Sequence, residues 1–309
     1  MCRVLMYSGD AVPLDDLLYQ PNNSLVKQAH DPQMLNMLSL AGFGMLAWDA
    51  SSHRPDVPFG YRSVNIPVFD QNLKELAEKL RVTTLIAHVR GVPFRDDPTV
   101  GEQNLHPFRY RGYRVALAHN GGLAAFDRMR FALLEHIKPE IARLIRGNTD
   151  SEWLYALLLS QLENPQARLD PEEIVPALEK TLAILREVRR NHDVHTSSPV
   201  NLFVSDGAIL VGVRFAFDHG CYDTQNPAEL QNAHHMFLGL WYTTGKAYGL
   251  HDDEWKMIGD PTNAASSILI SSEPLTRDTS TWFEVPEYSA LVATTHGGDL
   301  RLKVKDLDV

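Results

Sequence analysis

The sequence predicts an α+β fold in which two largely antiparallel sheets pack together and carry helices on their outer faces. Three observations support this prediction. Stretches typical of strands come first, helices dominate the middle of the chain, and strands return after residue 199. Strands and helices do not alternate as they do in proteins built on a parallel sheet. The 309 residues contain no internal repeat and no low-complexity linker, so residues 2–309 are expected to form one domain.

Hydrophobic spacing predicts the elements of the first two thirds of the chain. The apolar runs that predict strands span residues 2–8, 42–48, 82–89 and 113–118. The runs with helical spacing span residues 71–81, 123–137, 150–163 and 171–190. Asn120-Gly121 is interpreted as the turn that ends the fourth strand, and Pro171 as part of the first turn of the last helix.

The last third returns to a strand pattern. Short apolar runs predict strands over residues 200–204, 209–214, 236–243, 267–270, 290–294 and 300–304. Hairpin turns are expected at residues 205–207 and 297–299. The segment 215–262 is polar and is interpreted as a surface insertion or an active-site flap, with the insertion favoured.

The composition indicates a soluble cytoplasmic protein. The formal net charge of −10, with no basic cluster, argues against a nucleic-acid surface. No apolar stretch is long enough to span a bilayer, and the N-terminus lacks the features of a secretory signal. Because Cys2 and Cys221 are the only two cysteines, a disulfide framework is not expected.

The sequence predicts neither a metal site nor a cofactor. It contains no CxxC motif, and the pairs His192/His195 and His234/His235 lack carboxylates or thiolates at ligand spacing. Neither of the glycine-rich nucleotide-binding patterns is present.

Cys2 is the candidate nucleophile. Removal of Met1 would expose an α-amine beside its thiol, and such an amine, with a pKa of about 7.7–8.0, can accept the thiol proton. One residue would then supply both nucleophile and base. Taken alone, a cysteine after the initiator methionine is more often accidental.

Four further places along the chain carry candidate groups. Arg90 follows a buried strand and can grip a carboxylate, or form a surface ion pair. Asn120-Gly121 can present an amide and a backbone N–H to an oxyanion, or form an ordinary hairpin turn. Asp150 can bind an ammonium group, or cap a helix. His106 can orient its neighbours, or pack in a loop.

Together, these residues occur in a sequence of motifs that resembles the glutaminase domain of class II glutamine amidotransferases. The motifs are Cys2, residues 88–90, residues 104–108, residues 118–121 and residues 148–152. The first 19 residues and residues 271–275 resemble the stand-alone branch of the family. That branch includes bacterial amidotransferase-like proteins, the γ-glutamyl hydrolase of ergothioneine synthesis and the amidotransferase-like subunit of glutathione breakdown.

The resemblance implies a four-layer αββα sandwich of the N-terminal-nucleophile hydrolase type. It implies that Cys2 attacks a γ-glutamyl amide with its own amine as base. Arg90 would hold the substrate α-carboxylate and Asp150 the α-amino group, with His106 nearby. Asn120 and Gly121 would form the oxyanion hole.

The chain departs from the family pattern at two places beside the expected pocket. Residues 91–94 read Gly-Val-Pro-Phe where many relatives have a threonine-containing turn, and the link to His106 is a few residues longer. Ala41 stands where relatives often carry an acidic or amide residue. These departures bear on substrate preference more than on the nucleophile.

Three functions are compatible with the motifs. The enzyme could release ammonia from glutamine for a partner synthase, since 309 residues leave no room for a synthase domain. It could instead hydrolyse a γ-glutamyl conjugate without a partner. The third possibility is a catalytically silent subunit for sensing or scaffolding, which the presence of all the motif residues disfavours.

Overall fold

The computed structural model describes residues 2–34, 38–91, 100–222, 226, 239–259, 265–296 and 298–309. The strands are β1 Arg3–Pro13, β2 Phe43–Trp48, β3 Phe59–Ser63, β4 Arg81–Val89, β5 Ala116–Gly121, β6 Ser198–Ser205, β7 Ile209–Arg214, β8 Ala216–Phe217, β9 Trp241–Gly245, β10 Ala247–His251, β11 Glu254–Ile258, β12 Ser267–Ser271, β13 Phe283–Glu284, β14 Ser289–His296 and β15 Asp299–Asp306. The α-helices are α1 Leu14–Leu18, α2 Leu25–Gln28, α3 Gln71–Ala77, α4 Phe126–Met129, α5 Pro139–Ala142, α6 Asp150–Gln161 and α7 Ile174–Asn191.

Two antiparallel sheets dominate the described part of the chain. The first sheet has the strand order β13-β9-β12-β1-β4-β2-β3, and the second has the order β15-β14-β7-β6-β5 with β8 attached to β6. The strands β10 and β11 form a separate hairpin. Each paired neighbour runs antiparallel, as the arrangement of the predicted strands suggested.

The alternation of side chains along β1 shows how the layers are built. Val4 and Met6 point into an apolar core shared with β5, β6 and β7 of the second sheet. Leu5 and Tyr7 point the other way, into a core shared with α1, α2 and α3. Successive side chains on a strand face opposite sides, so one strand contributes to two cores.

The second sheet is covered on its outer face by α6 and α7. Nearly every residue of α6 is buried, because the helix packs both against this sheet and against α7. The four layers are therefore helices, first sheet, second sheet and helices, which confirms the predicted α+β sandwich.

Several predicted boundaries were wrong. The stretch 123–137 is not one helix but α4 followed by a 3₁₀ turn, Ala132–His136. Pro171 lies in a turn before α7, which begins at Ile174. Strand β5 continues through Asn120-Gly121 instead of ending before them, because both residues pair with β6.

Part of the segment 215–262 belongs to regular structure. Strand β9 extends the first sheet, while Tyr248 and Met257 of the β10–β11 hairpin pack into the outer core of that sheet. His234 and His235, and much of the departure at residues 91–94, lie outside the described residues. Among the helices that the structure describes, none has the length and apolar character needed to cross a membrane.

Candidate active site

Cys2 lies immediately before β1, at the strand-end edge of the first sheet, where the central strand β1 begins and its neighbour β4 ends. Pairing between β1 and β4 places Arg3 opposite Val89, so the start of β1 lies beside the end of β4. Cys2 is buried, and its Sγ donates a hydrogen bond to the carbonyl oxygen of Gly91 at 3.6 Å. The antiparallel register thus brings the candidate nucleophile next to the residues that follow β4.

Arg90 is the residue that follows β4, and it is buried at the same edge. Its backbone N–H donates to the carbonyl of Gly42 at 2.8 Å, and its carbonyl accepts from Ala41 at 2.8 Å. Burial lowers the pKa of Arg90, while the nearby groups of Cys2 and Asp150 act to raise it. The guanidinium therefore lies within electrostatic reach of both Cys2 and Asp150.

Asn120 approaches this edge from the second sheet. Its Nδ2 donates to the hydroxyl of Ser272 at 3.2 Å, and the same hydroxyl accepts from the Val4 N–H at 3.0 Å. The Asn120 Oδ1 atom is buried without a hydrogen-bond partner among the described residues. The side-chain amide is therefore tied to the strand that carries Cys2.

Gly121 occupies a position that admits no side chain. A Cβ atom placed there would lie 1.9 Å from the carbonyl oxygen of Pro199 and 2.8 Å from Nε2 of His119. Both contacts are far shorter than van der Waals distances. The backbone of β5 is therefore pressed against β6 at the residue whose N–H was predicted to face an oxyanion.

Asp150 is the first residue of α6, and Thr149 is the N-cap; the prediction of Asp150 as the cap was wrong by one position. The Asp150 Oδ2 atom accepts from the N–H of Leu123 at 2.7 Å, and Oδ1 accepts from the N–H of Ser151 at 2.7 Å. These bonds hold the carboxylate beside the end of β5. Asp150 is consequently close to Gly121 as well as to Arg90.

Beside these groups lies a cluster of three buried histidines, His88, His106 and His119, which is called the histidine stack below. The ring centroids of His88 and His106 are 4.2 Å apart, and Nδ1 of His106 accepts from the backbone N–H of His119 at 3.4 Å. His119 in turn contacts the Ser151 hydroxyl at 2.9 Å. His106, predicted to lie near the substrate, makes its observed contacts with the protein interior.

The stack is electrically neutral at physiological pH. Burial, with the positive charge of Arg90 and the neighbouring His119 as smaller causes, lowers the pKa of His88 to about 3. Burial also lowers the pKa of His106 and His119, although Asp150 opposes this for His119. Buried imidazoles lose the hydration that stabilises their charged form.

An ion pair holds the start of β1 in place. Nε of Arg3 lies 3.4 Å from Oε2 of Glu273, and both side chains are fully buried. Arg3 Nη1 donates to the carbonyl oxygen of Cys2 at 3.1 Å. The other carboxylate oxygen of Glu273 accepts from the backbone N–H groups of Gln33 and Met34, at 2.6 and 2.9 Å. Glu273 thereby links the backbone of Cys2 to the loop after α2.

The sequence patterns assigned no role to Arg3, Ser272, Glu273, His88 or His119. Their contacts join residues that are up to 270 positions apart, and no local spacing encodes such contacts. The only signals were the position of Arg3 after Cys2 and the presence of His88, His119 and residues 271–275 in the family motifs.

Comparison with known proteins places this chain in a family. The sequence model of the family of class II glutamine amidotransferases matches residues 65–231, more than half of the chain. The chain belongs to this family. Its members hydrolyse or transfer the amide of glutamine, so the chain is an amide-hydrolysing enzyme of the class II glutamine amidotransferases.

Individual relatives agree with this assignment. The chain is 28% identical to the probable glutamine amidotransferase DUG3 of Saccharomyces cerevisiae over 94% of its own length and 81% of the yeast protein. A class II glutamine aminotransferase domain protein from Silicibacter pomeroyi superposes over all of both chains, with a TM-score of 0.62 and 22% identity. The glutamine phosphoribosylpyrophosphate amidotransferase of Bacillus subtilis matches over half of its length, with a TM-score of 0.57 and 16% identity. At these identities the two solved structures support the fold alone.

Proposed function

We propose that this amidotransferase uses Cys2, after removal of Met1, as the nucleophile toward glutamine or another γ-glutamyl amide. The observation that carries the proposal is that Arg90 lies within electrostatic reach of both Cys2 and Asp150, while the Cys2 thiol is hydrogen-bonded to Gly91, the residue after Arg90. Through Ser272, Asn120 is tied to the strand-end edge where Cys2 lies. The proposed nucleophile, two oppositely charged side chains and the Asn120 amide are thus gathered at this edge.

The reaction would proceed through a thioester. The α-amine of Cys2 accepts the thiol proton as sulfur attacks the amide carbon, which forms a tetrahedral oxyanion. Asn120 has two hydrogens on Nδ2 and uses one of them on Ser272, so the other can stabilise the oxyanion together with the N–H of Gly121. The C–N bond then breaks, and the amine leaves with the proton from the α-ammonium. Water finally hydrolyses the thioester and releases the γ-carboxylate.

Arg90 and Asp150 would recognise the substrate's α-carbon substituents. A guanidinium can bind a carboxylate through two parallel hydrogen bonds, and a carboxylate can accept a charge-assisted hydrogen bond from an ammonium group. The opposite charges of Arg90 and Asp150 match those of an amino acid head group. This arrangement requires a γ-glutamyl substrate with both groups unblocked.

Two versions of the substrate fit this chemistry. With glutamine, the released ammonia would pass to a synthase partner. With a γ-glutamyl conjugate such as glutathione, the enzyme would act alone. A turnover screen of the purified protein against glutamine, glutathione and simple γ-glutamyl amides distinguishes them. Absence of turnover with every compound would instead favour a catalytically silent subunit.

A labelling experiment tests the nucleophile. A diazo-ketone analogue of glutamine should modify Cys2, and intact-mass measurement should show that Met1 is absent from active protein. Cys2→Ala should abolish both labelling and turnover. Cys221→Ala is the matched control, because that cysteine is exposed. Activity that survives Cys2→Ala, or labelling at Cys221, would show that the nucleophile is misassigned.

A further inference from the structure

An arginine-lined cleft lies beside the candidate active site. Its volume is about 700 Å³, within the range of sites that hold small ligands. The charged residues that line it are Arg62, Glu102, Arg109, Arg111, Arg146 and Glu152. The cleft therefore has a surplus of two positive charges in a protein whose formal net charge is −10.

Most of these guanidinium groups have no acidic partner. Among the described residues, the side chains of Arg109, Arg111 and Arg146 form no ion pair, and the buried Nε of Arg109 has no hydrogen-bond partner. By contrast, Arg114 and Arg168 outside the cleft both pair with Asp56. Burial, together with the charge of Arg114, lowers the pKa of Arg109. A bound anion would relieve this unfavourable burial of charge.

The two carboxylates act on Arg62 and offset only part of the positive charge of the cleft. Glu152 is buried and accepts hydrogen bonds from the backbone N–H groups of Arg146 and Gly147 and from the hydroxyl of Tyr110. Its oxygens are thus occupied by the protein. Glu102 is exposed to solvent at the rim, where water screens its charge.

We propose that this cleft binds a small polyanion that carries phosphate or several carboxylate groups. Guanidinium groups match the planar oxygen geometry of both kinds of anion and can bind them through paired hydrogen bonds. A long polyanion is disfavoured because the rest of the acidic surface would repel it. The site is separate from the γ-glutamyl pocket, since none of the residues proposed for catalysis or substrate binding lines it.

The cleft nevertheless shares structure with the active-site region. Arg62 Nη2 donates to the carbonyl oxygen of Pro107 at 2.6 Å, and Pro107 follows His106 of the histidine stack. Glu152 lies two residues after Asp150 on α6. Because no residue proposed for catalysis or substrate binding lines the cleft, anion binding can be measured independently of turnover, and turnover provides a check that each variant is folded.

The experiment measures binding of pyrophosphate and of citrate to the purified full-length chain by calorimetry, with sodium chloride at matched ionic strength as the reference. The double variant Arg111→Ala/Arg146→Ala removes two exposed guanidiniums, so it is expected to fold normally. Arg109→Gln removes the partly buried one. Each should weaken binding by about ten-fold or more, because charge-assisted hydrogen bonds are lost. Arg301→Ala, on the exposed strand β15, is the matched control and should bind like the wild type.

Preference for pyrophosphate would identify a phosphate site, and preference for citrate a carboxylate site; both outcomes support the proposal. Two results would overturn it. One is that neither anion binds the wild type beyond the chloride reference. The other is that the cleft variants and Arg301→Ala lose affinity equally, which would indicate a general charge effect.

Discussion

The two sheets contribute to the candidate site in different ways. The edge of the first sheet carries Cys2 and Arg90, and it is held by an ion pair between Arg3 and Glu273, which are far apart in sequence. The edge of the second sheet carries Asn120 and Gly121 and lies beside Asp150, which is held by backbone N–H groups from nearby segments. The proposed nucleophile is thus positioned by a long-range ion pair, whereas the proposed charge-stabilising groups are positioned by the contact with Ser272 and by backbone hydrogen bonds.

The largest expected effect comes from breaking the ion pair of the first edge. Glu273→Gln leaves the Arg3 guanidinium buried without its charge partner and should lower the free energy of unfolding by about 3–5 kcal/mol. Urea denaturation measures this loss. Glu172→Gln is the matched control because the Glu172–Lys303 pair is exposed, and exposed pairs contribute little. Equal stability of both variants would mean that the first edge does not depend on this pair.

The second edge is tested by Asn120→Ala. An oxyanion exists only after attack, so loss of its donor should lower kcat by about 10²–10³ with little change in KM. Steady-state kinetics measures both constants. Ser272→Ala removes the tie between the sheets but keeps the amide, and it should reduce kcat less. If the two variants lose the same activity, Asn120 acts through the sheet contact and not on the oxyanion.

Variants of Arg90 and Asp150 test whether residues from the two edges bind the same substrate molecule. Asp150→Asn should weaken kcat/KM for glutamine by about ten- to a hundred-fold, through loss of a charge-assisted hydrogen bond. It should barely affect glutaramate, which lacks the α-amine. Arg90→Lys should also weaken binding, because lysine cannot reproduce the planar fork. Simple addition of the losses from Asp150→Asn and from removal of the α-amine would show that these groups do not meet.

The histidine stack between the edges predicts a pH dependence of stability. Unfolded histidine titrates near pH 6.5, whereas the folded pKa of His88 is about 3. Between these values the unfolded state binds more protons, so stability is complete above about pH 6.5 and falls as the pH decreases. The loss from His88 should be about 2 kcal/mol at pH 5.

Denaturation at pH 7 and pH 5 measures this loss. His88→Gln should reduce the difference between the two pH values. His53→Gln, at an exposed position, should leave that difference unchanged. An unchanged difference in His88→Gln would mean that other groups cause the acid sensitivity.

Local sequence patterns predicted those elements whose structure is determined by residues close together in the sequence. The turn at residues 205–207 was predicted correctly because it is self-contained: the Asp206 carboxylate accepts from two following N–H groups, and Gly207 has a φ of 93°. Strand β3 and the β10–β11 hairpin were missed because their residues are polar or partly exposed and show no apolar run.

The site shows the same division. Short motifs at the ends of strands or at the start of a helix contain Cys2, Arg90, Asn120, Gly121 and Asp150, so their neighbourhood could be predicted. The partners that hold them could not. Glu273 and Ser272 reach the site only through the pairing of β12 with β1, and the order of strands in a sheet is not encoded by spacing along the chain.

The Ser272 hydroxyl has a mechanical consequence. This hydroxyl accepts hydrogen bonds from the Val4 N–H and from the Asn120 amide. The backbone N–H of Ser272 donates to the carbonyl oxygen of Val4. Packed sheets can slide over each other by small distances, and such sliding would ordinarily change the spacing between groups on opposite layers. Here the hydrogen bonds of Ser272 make strand β1 and the Asn120 side-chain amide move together. These bonds limit how far sliding of the layers can change the distance between the Cys2 sulfur and the Asn120 amide.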